Sequence, residues 1–121
     1  MPAPVLSIIL PMLDEAEVID QTLGVLHAQL LETGCTFEVV CVDDGSTDDT
    51  GDLLAERAVR DDWLVPVTFS RNFGKEAAVM AGLEIARGRA VVILDADLQH
   101  PPELVPKMVA LWQEGFDVVD A

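Results

Sequence analysis

The sequence predicts an α/β protein built on a mostly parallel sheet with helices on both faces. Short apolar runs alternate with segments of helical periodicity along the 121 residues. The apolar runs are continuous rather than alternating, as strands buried on both faces require. The length and a half-apolar composition fit one domain with a single modest core.

Residues 5–11, Val-Leu-Ser-Ile-Ile-Leu-Pro, read as the first buried strand. Residues 15–31 follow with Val18, Ile19, Leu23, Leu26 and Leu30 at helical spacing, and Gly34 ends that helix. Gly24 inside it is expected to allow close packing. A second strand covers residues 37–42. Ser46 or Thr47 can cap the next helix, with Asp48 and Asp49 in its first turn, where the helix dipole favours acids. That helix reaches about residue 60. A strand over 64–69 and a helix over 74–87 come next, the helix stopping near Gly88. The fourth strand covers 90–94. Pro101 and Pro102 suit the first turn of a helix that runs to about 114. Residues 116–119 read as the start of a fifth strand, so the expectation is the N-terminal part, residues 1–121, of a domain that continues further.

Composition excludes some functions. Twenty-two acids against seven bases give a net charge of −15. Non-specific nucleic-acid binding needs a basic surface, and docking on anionic lipid needs the same. Cys41 falls in an apolar strand and Cys35 in the turn before it, with no metal-ligand spacing between them. A disulfide framework is not expected, which fits a reducing, cytoplasmic compartment. The first apolar run lacks the basic lead of a signal peptide, and no run approaches the length of a membrane span. Met80, Met108, Trp63 and Trp112 read as packing residues, and His27 as a surface or satisfied helix residue.

Chemistry gathers in the turns that follow the strands. In an open parallel sheet these turns share one edge, and ligands bind there. The turns are Pro11-Met12-Leu13-Asp14-Glu15, Asp43-Asp44-Gly45-Ser46-Thr47-Asp48, Ser70-Arg71-Asn72-Phe73-Gly74-Lys75-Glu76, and Asp95-Ala96-Asp97-Leu98-Gln99-His100-Pro101-Pro102-Glu103. Asp14, Glu15, Asp43, Asp44, Asp95 and Asp97 would crowd one rim. Such a rim repels itself unless a cation, or Arg71 and Lys75, offsets it. Asp95 and Asp97, two apart at a strand end, suit a hard cation that holds a diphosphate. Each piece also has a plainer reading: Asp95–Asp97 as a polar turn, Asp43–Ser46 as a turn and cap, Asp14 and Glu15 as a helix start, Arg71 and Lys75 as solvated bases. Asn72 and Gly74 shape their turn on either reading. His100, a lone histidine, is not assigned as a ligand.

Those four motifs, in that order and spacing, resemble the N-terminal half of family 2 glycosyltransferases with the GT-A, Rossmann-like fold. The similarity is greatest to the polyprenyl-phosphate branch that includes dolichyl-phosphate mannose synthase, through Arg71-Asn72-Phe73-Gly74 and Leu98-Gln99-His100-Pro101-Pro102-Glu103. The resemblance implies a UDP- or GDP-sugar donor, a polyprenyl phosphate acceptor, and inverting transfer dependent on Mg²⁺ or Mn²⁺. It implies that Asp43 and Asp44 contact the base or ribose and that Pro11, Leu13 and Glu15 line the nucleotide pocket. Asp95 and Asp97 would hold the metal, with Ala96 between them in the donor site. Arg71 and Lys75 would lie near the donor phosphates or sugar. Leu13-Asp14 stand where the family usually has Tyr-Asn, so apolar contact replaces aromatic stacking on the base. No catalytic base is assigned. The longer protein is expected at the cytoplasmic face of the membrane, and an exposed sheet edge makes homo-oligomers an expectation too.

Other readings stay open: transfer to a sugar hydroxyl, a sugar nucleotidyltransferase, and a non-catalytic nucleotide-binding module. The nucleotidyltransferase usually has a Gly-rich loop after the first strand, and Met12-Leu13-Asp14-Glu15 has no Gly. A dehydrogenase is disfavoured, because no Gly-x-Gly-x-x-Gly follows that strand.

Overall fold

Continuous β-branched and aliphatic runs pair as four parallel strands in the computed structural model, which describes residues 3–95 and 104–115. In chain order the elements are β1 (Leu6–Met12), α1 (Ile19–Glu32), β2 (Phe37–Asp43), α2 (Thr50–Arg60), β3 (Leu64–Thr68), α3 (Lys75–Ile85), β4 (Ala90–Ile93) and α4 (Leu104–Gln113). The expected fifth strand at 116–119 and the Pro101–Pro102 helix start lie outside the described residues.

Strand order is β3-β2-β1-β4. The chain thus steps outward from β1 to β3 and then crosses back to the other side of β1. Reversing direction sends the crossover helix to the opposite face. Ile19, Leu23, Leu26 and Leu30 of α1, Leu54 of α2 and Val105, Met108 and Val109 of α4 share one core with Ile8, Leu10, Met12, Val39 and Cys41. Ala78 of α3 packs on the other face with Val40 and Val42. There a Cβ on Gly82 would stand 2.6 Å from Ile9 Cγ2, so the missing side chain lets α3 lie close on the sheet.

Leu6–Met12 pairs with Phe37–Asp43 throughout, whereas the pairing with β4 ends at Ile9–Ile93. The N–H of Leu94 still reaches the carbonyl of Ile9. Pro11, two residues on, has no N–H to continue that side of the ladder. The sheet therefore parts between β1 and β4 at its carboxyl edge, the point where strand order reverses.

Several expectations change. α1 begins at Ile19 rather than residue 15: residues 16–18 form a turn, with the Val18 N–H on the Glu15 carbonyl, and the N–H groups of Asp14, Glu15 and Ala16 are bound to Ser46, Thr50 and Asp48. Val18 is exposed, off the buried stripe. Neither Ser46 nor Thr47 caps α2: Asp49 holds that place, while the Ser46 hydroxyl donates to Asp43 and the Thr47 N–H to Asp14. Gly24 is exposed and nothing lies within 4 Å of where its Cβ would be, so it serves no packing. Met80 is 60% exposed and is no core residue, whereas Met108 is buried. His27 stacks flat on Trp63, centroids 4.6 Å apart, and meets Phe37 in a T-shaped contact. Gly34 ends α1 at φ +71°, as its type suggests.

Candidate functional site

Described residues from each of the four polar turns converge. Pro11 and Met12 at the end of β1, Leu13 just after it, Asp44 after β2, Asn72, Gly74 and Lys75 before and within α3, and Asp95 after β4 surround one cleft together with Glu15. Its volume is about 430 Å³, within the range of roughly 300–1,000 Å³ typical of small-molecule sites. It opens at the carboxyl edge where β1 and β4 part. A smaller cavity of about 200 Å³ lies between β4 and α4 at the other end of the strands. Its lining side chains are aliphatic apart from Arg89, Met108 and Trp112, so it gathers no set of convergent polar side chains.

Asp44 is 5% exposed, and its carboxylate is fixed from behind. Oδ1 accepts the Phe73 N–H at 2.8 Å, and the Gly74 N–H lies 3.2 Å from Oδ1 and 3.1 Å from Oδ2. Gly74 at φ +103° turns its N–H toward that carboxylate and leads directly into α3. Gly45 makes this contact possible: a Cβ there would meet the backbone carbonyl carbon of Arg71 at 2.2 Å. The β2 and β3 turns thus touch backbone to backbone.

Asp43 stands behind the wall rather than in it. It is buried, and its Oδ1 accepts both the N–H and the hydroxyl of Ser46, at 2.9 and 2.5 Å. Arg71 also lies off the cleft lining, its guanidinium 4.7 Å above the Phe73 ring. Lys75 Nζ donates to Asp95 Oδ1 at 2.5 Å, and both side chains are largely exposed. The rim's charge is thus offset at this point by a lysine. Ala96 and Asp97 lie outside the described residues. Among those described, no group of three or more acidic, histidine or cysteine side chains could hold a metal ion.

Of the residues singled out by sequence, Pro11, Leu13, Glu15, Asp44, Lys75 and Asp95 line the cleft. Met12, Asn72 and Gly74 line it as well and were not assigned to it. Their place beside the assigned residues in the same sequence motifs was the available signal. Asp48, in the loop behind, has its carboxyl held below the ordinary 3.8, chiefly by the hydroxyl of Thr50, with further N–H donors from Thr50 and Ala16. Burial pushes the Cys41 thiol far up, so it stays protonated in the core.

The profile of glycosyl transferase family 2 matches residues 7–121. The chain belongs to this family. It is 43% identical over 119 residues to the undecaprenyl-phosphate 4-deoxy-4-formamido-L-arabinose transferase of Pseudomonas aeruginosa strain LESB58, covering 98% of this chain and 35% of that protein. It is 41% identical over 115 residues to the uncharacterized glycosyltransferase YkcC of Bacillus subtilis, covering 95% and 36%. Among solved structures, the mannosyltransferase PcManGT from Pyrobaculum calidifontis, in complex with GDP-Man and Mn²⁺, is similar at TM-score 0.74 and 30% identity, over 90% of this chain and 32% of that one. S. aureus TarS 1-349 in complex with UDP gives TM-score 0.74 and 28% identity over the same shares. The chain spans about a third of the length of the curated relatives it matches. Its parallel sheet with flanking helices is that of the GT-A glycosyltransferases among these neighbours. Among the described residues no helix is long and apolar enough to cross a membrane.

Proposed function

We propose that this family 2 glycosyltransferase chain forms the nucleotide-sugar site of an inverting enzyme that transfers a sugar to a polyprenyl phosphate. The observation that carries the reading is the cleft where β1 and β4 part, with Glu15, Asp44, Lys75 and Asp95 around it. The names of the relatives, undecaprenyl-phosphate sugar transferases among them, support the acceptor class. The neighbours that hold GDP-Man or UDP support the donor class.

In this reading Asp44 accepts a hydrogen bond from the base or ribose, because its carboxylate is already pinned and costs little further ordering. Leu13, 42% exposed beside it, supplies apolar contact to the base. Lys75 reaches the diphosphate from the first turn of α3. The carboxylate oxygens of Asp95 suit a hard divalent cation such as Mg²⁺ or Mn²⁺, with Asp97 as its proposed partner. When bound, that ion offsets charge on the leaving nucleoside diphosphate. A phosphate acceptor is already ionised near neutral pH, with a second pKa of about 6. A strong protein base is therefore less needed than for a sugar hydroxyl.

Calorimetric titration of the chain with UDP and GDP, with and without Mn²⁺, tests the donor site. One nucleotide is expected to bind only with metal, and Asp97→Asn is expected to abolish that binding. Equal affinity in the variant would remove the metal assignment. Polyprenyl phosphate compared with sugar acceptors, assayed with the complete gene product, tests the acceptor. The 121-residue chain alone is expected to bind donor without efficient turnover.

A further inference from the structure

Asp14 is the single non-glycine residue with positive φ, +52°, among those described. An L-residue rarely adopts this conformation, and Asp and Asn tolerate it better than most. Its side chain points away from the cleft, onto the β2–α2 loop. Oδ1 accepts the N–H of Thr47 at 2.8 Å and of Asp48 at 3.3 Å, with the Thr47 hydroxyl at 3.4 Å. The backbone replies in the other direction. The N–H of Asp14 donates to Ser46 Oγ at 2.8 Å, that of Glu15 to Thr50 Oγ1 at 2.9 Å, and that of Ala16 to Asp48 Oδ2 at 3.2 Å.

Two facts turn this clasp toward function. The neighbours of Asp14 on either side, Leu13 and Glu15, both line the cleft, while Asp14 does not. And Ser46, its first partner, holds Asp43, which precedes the cleft residue Asp44. A left-handed residue between Leu13 and Glu15 sets the path of the chain through both. Backbone conformations of this kind persist only where the surroundings over-determine them, and they gather at functional sites.

We propose that Asp14 is a positioning residue for nucleotide binding: by locking the β1–α1 turn onto the β2–α2 loop it holds Leu13, Glu15 and Asp44 in one preorganised wall. The proposal rests on the reading of the cleft as the donor site. The working part of Asp14 is a single acceptor oxygen on a residue that tolerates positive φ. Asparagine offers both, so the charge itself is dispensable. Glycine keeps the backbone freedom and loses the acceptor. Alanine loses both.

The test is calorimetric titration of UDP and GDP, with Mn²⁺, into the parent chain and into Asp14→Asn, Asp14→Gly and Asp14→Ala. Circular dichroism establishes that each variant is folded. Affinity within about twofold of the parent is expected for Asp14→Asn. Asp14→Gly is expected to bind roughly tenfold more weakly, with unchanged stoichiometry, and Asp14→Ala more weakly still. Should Asp14→Ala fail to fold, Asp14→Gly carries the comparison. A merely structural role would lower the fraction of competent protein and leave the Kd of the remainder at the parent's value, and that result overturns the proposal. So does an Asp14→Asn variant as weak as Asp14→Gly, since it would make the charge the active feature. A folded parent chain that binds neither nucleotide overturns the reading of the cleft, and the positioning role falls with it.

Discussion

Asp48 has two sets of partners: Thr50 by N–H and hydroxyl, and Ala16 by N–H across the clasp. These donors favour the ionised form and hold its carboxyl below the ordinary 3.8. A group whose pKa is depressed on folding contributes stability above its unfolded value and loses it as pH falls through the folded one. Asp48→Asn is therefore expected to lower the urea midpoint near neutral pH and to have a smaller effect near pH 3, where the parent is losing the same contribution. Equal effects at both pH values would mean that ionised Asp48 adds nothing over a neutral acceptor. At this scale the sequence named residues that the fold brings to one cleft, but not what each carboxylate is bound to. Asp43 and Asp44 are adjacent and alike, yet one is spent on Ser46 and the other lines the cleft. Only the path of the backbone separates them.

Between elements, the end of the sheet opposite the cleft is closed by a buried carboxylate. Glu38 in β2 is 2% exposed, accepts the Ser7 hydroxyl at 2.7 Å and the Arg87 N–H at 2.7 Å, and pairs with the Arg87 guanidinium at 3.2 Å. Ser7 in turn accepts the Gly88 N–H at 2.8 Å, tying the α3–β4 turn to β1 and β2. Removing the acceptor strands buried donors, so Glu38→Ala is expected to cost about 2–4 kcal/mol. Arg87→Ala keeps the backbone donor and removes a guanidinium that is 58% exposed; its cost should stay below about 1 kcal/mol. Urea unfolding of both variants measures the difference, and comparable losses would mean that the ion pair rather than the buried acceptor matters. The network went unread in the sequence because Ser7 and Glu38 looked like ordinary polar residues in apolar strands, and their partners lie up to 81 positions away.

The whole molecule carries 22 acids and 7 bases. Like charges at this imbalance repel in the compact state, and salt screens them. Thermal midpoints should rise by a few degrees between low salt and about 0.5 M NaCl. A falling midpoint would mean that ion pairs such as Arg57–Asp20 and Lys75–Asp95 outweigh the repulsion.

Fold class, the order of the described elements and the stretches whose described residues line the cleft were legible in the sequence, because strand and helix periods and turn residues are local properties of the chain. So was family membership, carried by motifs that each occupy a few consecutive residues. Element starts were less so: Ile19 and Thr50 open their helices later than the sequence suggests, after two loops that are hydrogen-bonded to each other. Strand order was decided only in the tertiary structure, since it depends on which runs pair, and with it came the parting of β1 from β4. The same holds for the division of labour among the acids. A carboxylate's role follows from the donors that reach it, and for Asp14, Glu38 and Asp44 those donors come from other parts of the chain, 29 or more residues distant in sequence.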